Sequence, residues 1–130
     1  MKVIKRTLVK QVLTLESKND LFQKLEREKK RIQNECEQLD FEKRKAMKHR
    51  SKKDQTLILG RFEEEIERRK QKIRSIDFQI EQLHYLPLGT EIVEKEIEAI
   101  QDVQVGDDWN QLFRPSEIVV KEGKVIEIRP

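Results

Sequence analysis

The chain has 130 residues, of which 41% are charged and 35% apolar, and a formal net charge of +3. So small an apolar share cannot fill one globular core at this length, so an elongated molecule with narrow apolar seams is expected. Cys36 is the only cysteine, which excludes an intrachain disulfide, and no apolar run approaches the ~20 residues that a bilayer crossing needs.

In chain order, residues 3–13 are rich in β-branched side chains with a period of two and read as a first strand. Lys2, Lys5, Arg6 and Lys10 interrupt the same stretch before a signal-peptide core can form, so a reducing, cytoplasmic location is expected. Thr14 or Ser17, the latter with Asp20 three residues on, can cap a first helix. Its seam frame is Leu21, Leu25, Glu28, Ile32, Glu35, Leu39, Glu42 and Ala46, with Cys36 beside the stripe. A second helix carries a fuller frame of Leu59, Phe62, Ile66, Arg69, Ile73, Ile76, Ile80 and Leu83, alternating steps of three and four as heptads do.

Pro87 and Gly89 stop that helix after Leu86. Each helix runs about 30 residues, or roughly 45 Å. Only a few residues join them, so the pair is expected to form an antiparallel coiled-coil hairpin over residues 14–86, with its tip at about 47–54. Arg69 interrupts the seam and is placed opposite Glu35 or Glu28, where an ion pair sets register at some cost in stability.

Beyond the hairpin the period returns to two in residues 92–105 and 118–128. Val93, Ile97, Ala99, Val103 and Val105 are assigned to a buried face, with Glu94, Glu96 and Glu98 on the wet one. Glu122-Gly123 makes a tight turn, and Trp109 and Phe113 are expected to plug the core. Residues 1–13 and 87–130 together then form a small antiparallel, barrel-like β module from both termini, and the fold class is α+β.

No Gly-rich phosphate loop, nucleophile elbow or cysteine pair is present, and His49 and His84 fall at opposite ends of the hairpin. A non-enzymatic protein without metal or cofactor is therefore expected. Cys36 reads as a packing residue, and Glu91, Glu94, Glu96 and Glu98 as the solvated side of a strand. Charge is the sharpest signal. Residues 43–53 hold Lys43, Arg44, Lys45, Lys48, Arg50, Lys52 and Lys53 with no carboxylate, and removing these seven leaves 21 Lys plus Arg against 25 Asp plus Glu.

A basic apex repels a metal ion, which excludes the magnesium-holding role of acidic hairpin tips that enter RNA polymerase. It suits phosphate groups or an acidic protein instead. With no aromatic residue in 43–53, RNA contact there would be electrostatic, salt-sensitive and indifferent to sequence. The competing reading is a solvated turn whose cations favour the C-terminal dipole of the first helix.

The run Ile76-Asp77-Phe78-Gln79-Ile80-Glu81-Gln82-Leu83-His84-Tyr85-Leu86-Pro87-Leu88-Gly89, followed by Val105-Gly106-Asp107-Asp108-Trp109, resembles the YlqD family of bacterial proteins. The likeness takes in Val9-Lys10-Gln11-Val12-Leu13-Thr14 and Ile118-Val119-Val120-Lys121-Glu122-Gly123, and so most of the chain. It implies a small cytoplasmic protein, often encoded near ribosomal-protein and ribosome-maturation genes. The family has no established activity, so it transfers no functional residues.

The expectation is an adaptor, with the basic tip for RNA, the ribosome or an acidic protein and the β module for a protein partner; no membrane is involved. The alternative is a structural homo-oligomer. Leu57, Ile58 and Phe78 lie outside the seam, so two hairpins can pack as four helices.

Overall fold

Thr14 starts the first helix: its hydroxyl accepts the Ser17 amide at 3.1 Å while its own amide donates to Ser17 Oγ at 2.8 Å, a reciprocal cap. The computed structural model describes residues 1–130. Its elements are β1 (Lys2–Val12), α1 (Leu15–Met47), α2 (Lys52–Tyr85), β2 (Glu91–Asp102), α3 (Trp109–Leu112), β3 (Ser116–Lys121) and β4 (Lys124–Arg129). They fall into two compact units, Met1–Lys18 with Leu86–Pro130, and Asn19–Tyr85.

The helical unit is built from α1 and α2, of 33 and 34 residues. His49 takes a left-handed φ of 59° in the turn between them, and Ser51 Oγ accepts the Asp54 amide at 3.3 Å to cap α2. Two ion pairs cross from helix to helix, Lys29 to Asp77 at 2.7 Å and Arg69 to Glu35 at 3.4 Å. The partners climb along α1 as they descend along α2, which is the antiparallel order. Arg69 leaves Glu28 alone and binds more closely to Glu65, one turn earlier on its own helix, at 2.6 Å. Its guanidinium holds the Glu65 carboxyl below the usual carboxylate range.

Ile32, Ile76 and Leu83 are buried, and Leu25, Leu39, Phe62, Ile66, Ile73 and Ile80 are half-buried. On α1 the frame differs from the expected one. Leu21, Glu28 and Glu42 are exposed, and Phe22, Lys29 and Lys43 are half-buried in their place. The inward row is therefore Phe22, Leu25, Lys29, Ile32, Cys36, Leu39, Lys43 and Ala46, with Cys36 in it rather than beside it. A lysine stem can lie along an apolar seam and still bring its ammonium to an edge carboxylate, as Lys29 does with Asp77. A glutamate is too short for that.

The second unit is a four-stranded sheet in the order β2-β1-β3-β4. β1 pairs antiparallel with β2 and parallel with β3, and β3 pairs antiparallel with β4. The sheet is mixed and open, not an antiparallel, barrel-like module. Residues 103–115 carry the chain across so that β3 enters parallel to β1, and the tight turn at Glu122 and Gly123, with φ of 48° and 79°, adds β4 outside it. Nothing pairs β4 back to β2.

Trp109 and Phe113 do not fill the core. Each is 65% exposed, and the rings meet edge to face with centroids 4.3 Å apart. On the one-turn α3 the half-buried residue is Leu112. The buried residues here are Thr7, Val9, Leu13 and Val119. The assigned face of β2 is likewise broken by a bulge. Pairing passes from Val9–Lys95 to Lys10–Val93, so Glu94 is extra and Val93 turns out to the Lys10 side. Val103 and Val105 lie beyond the strand.

Arg129 ties the outer strands together. Its guanidinium donates to both Glu91 oxygens at 2.6 and 2.8 Å, to Glu117 at 2.9 Å and to Glu127 at 2.9 Å, while Lys10 reaches Glu117 at 2.8 Å. Glu91 is on β2 and Arg129 on β4. With strands about 4.8 Å apart, a flat sheet would hold those two roughly 14 Å from each other, so the sheet curls towards this face.

Arg129 holds the Glu91 carboxyl below its ordinary range, and Lys10 followed by Arg129 does the same for Glu117. Carboxylates depressed in the folded state stabilise it fully above their unfolded pKa and stop doing so as pH falls through the folded value. The thermal midpoint read by Trp109 fluorescence is expected to fall below about pH 4.3, the ordinary glutamate value. Arg129→Gln should lower the midpoint at neutral pH and flatten that acid limb; an unchanged limb would contradict the bracing role.

Candidate functional site at the basic turn

The seven cations of residues 43–53 do not share one environment. Lys43 turns into the inward row of α1 and lies 3.3 Å from Asp40, and Arg44 binds the same carboxylate at 2.8 Å. A single Asp40 thus neutralises part of the charge at the end of α1, an i, i+3 and i, i+4 arrangement that helix spacing dictates. Lys45, Lys48, Arg50, Lys52 and Lys53 are exposed, with no carboxylate at ion-pair distance. These five are the available charges. Lys45 also stands in the last turn of α1, where a cation meets the free carbonyls.

Two residues outside the run belong with it. Arg61 of α2, exposed and unpaired, lines a shallow cavity of about 230 Å³ with Arg50, Asp54, Leu57 and Ile58. Phe41 is exposed on α1 three and four residues before Arg44 and Lys45, so it shares their face. A run counted along the chain misses both, because the helical period, not adjacency, brings them there.

His49 is exposed in the turn, and His84 packs near Phe22 and Tyr85, with centroids 6.5 and 5.5 Å away. Cys36 is half-buried. Along β2, Glu91 is held by Arg129, Glu94 accepts from Gln11 at 2.7 Å and Glu96 from Arg6 at 3.0 Å, so those acids serve cross-strand pairing.

A model of the family described as YlqD protein matches residues 1–129. The chain belongs to the YlqD family. Uncharacterized protein YlqD of Bacillus subtilis (strain 168) is 43% identical over 129 residues, which cover 99% of this chain and 98% of that protein. The crystal structure of a protein of unknown function from Synechococcus sp. WH 8102 superposes with a TM-score of 0.80, over 100% of this chain and 95% of its own, at 15% identity. At that identity the likeness speaks for the fold alone. No helix of this YlqD chain is long and apolar enough to cross a membrane.

Proposed function

We propose that this protein is a non-enzymatic adaptor of the bacterial cytoplasm that binds the phosphate backbone of RNA, on or off the ribosome, through the turn between α1 and α2. In this reading the two helices form an antiparallel coiled-coil hairpin, and the sheet unit is left to a protein partner. The observation that carries it is the cluster Lys45, Lys48, Arg50, Lys52 and Lys53, five exposed cations without a carboxylate partner in a chain that is otherwise acidic. Asp40 occupies Lys43 and Arg44, which limits the free charges to these five. Contacts of this kind release counterions and carry no sequence preference.

Five phosphate contacts with a single strand imply a slope of about −3.5 in log affinity against log salt. Anisotropy titrations of single-stranded RNA are expected to give that slope, with similar affinity for unrelated sequences. Reversing Lys48, Arg50, Lys52 and Lys53 to Glu should abolish binding and ribosome co-sedimentation at low salt. Binding that survives the reversal would end this reading, and capture of an acidic protein without RNA would move the partner to the other class.

A second reading rests on a different observation. Phe41, Leu57 and Phe78 are each about 60% exposed on the helices, outside the inward rows, and six seam residues stay half-buried. A structural homo-oligomer of four helices would cover them. Phe78→Asp should then turn the assembly into a monomer in sedimentation equilibrium, and a wild-type monomer at high concentration would remove it.

A further inference from the structure

The sheet has two free edges, and they differ. The β2 edge carries Glu94, Glu96 and Glu98, and two such edges would repel each other. β4 is short, but Val125, Ile126 and Ile128 on it are 58, 55 and 67% exposed, and its only paired neighbour is β3. Pro130 just after it lines one cavity of about 440 Å³ with Gln111 and Leu112 of α3.

We infer that the β4 edge is an interaction surface for a second copy of this chain, the two β4 strands pairing antiparallel about a two-fold axis so that Lys124 faces Glu127 and Val125 faces Ile126 across it. The bulge in β4 makes this register consistent. Glu127 pairs with Val119 and Lys124 with Lys121, two residues apart on β3, because Ile126 is extra between them. Lys124 and Glu127 therefore share one face although they stand three positions apart. In a regular strand they would point to opposite faces.

A two-fold axis perpendicular to the sheet keeps faces matched between copies, so each Lys124 meets the Glu127 of the other copy on the same side, twice, with the apolar pairs between. The register displaced by two residues would set Lys124 against Arg129, with like charges opposed. The strand is thus complementary to itself in one central register, a property that a foreign peptide would match only by chance. Lys124 has no intramolecular carboxylate partner, so its charge is available.

Sedimentation equilibrium of the full chain tests this, with circular dichroism to check the fold of each variant. Wild type is expected to be a dimer at about 100 µM. Lys124→Glu and Glu127→Lys should each weaken it about tenfold, and the double swap Lys124→Glu with Glu127→Lys should restore it. A wild-type monomer at that concentration overturns the inference, even one that captures an added strand peptide. So does a dimer indifferent to both single changes or lost only in Phe78→Asp, which belongs to the helices. RNA affinity is a separate reading, because neither residue is in the basic turn.

Discussion

Leu13 holds together the two stretches of chain that make up the sheet unit. Its amide donates to the Thr90 carbonyl at 2.8 Å and its carbonyl accepts the Gly89 amide at 2.7 Å, while Lys18 Nζ reaches the Leu86 carbonyl at 2.9 Å. The chain therefore leaves the sheet unit and comes back to it at one place, and the segment between must begin and end there. The helices of that segment, α1 and α2, are of nearly equal length and are joined by a short turn. Gly89 contributes through its φ of 90°, which few other residues would adopt without strain.

The two helices were legible because apolar residues recur along them at helical spacing. On α2 the expected row from Phe62 to Leu83 coincides with the residues that are buried or half-buried. On α1 the same spacing fits two frames, and the expected one is the frame with glutamates in it, although the inward row holds one apolar residue more. The deciding fact, that lysine stems at positions 29 and 43 lie along the seam, follows from side-chain length and not from polarity.

The sheet was legible in its strands but not in its closure. Alternation marked β1, β2, β3 and β4, and Glu122-Gly123 marked the last turn. The parallel β1–β3 pairing depends on the path of residues 103–115, where no period speaks. The bulges at Glu94 and Ile126 each shift a face by one residue, which a pattern of strict alternation reads wrongly. Hydrophobicity alone points Trp109 and Phe113 inward, whereas on α3 the half-buried residue is Leu112. At the basic turn, the sequence located the charge, but the division between the two cations on Asp40 and the five free ones appears only with the side chains in place.

The central claim is that α2 runs back along α1, and a distance between exposed positions 26 and 79 measures it most directly. With Cys36 replaced by Ser, spin labels at Glu26→Cys and Gln79→Cys are expected to lie within about 25 Å of each other, given an interaxial spacing of roughly 10 Å plus the label arms. A separation of roughly 80 Å, the rise of one continuous helix between those positions, would contradict the account.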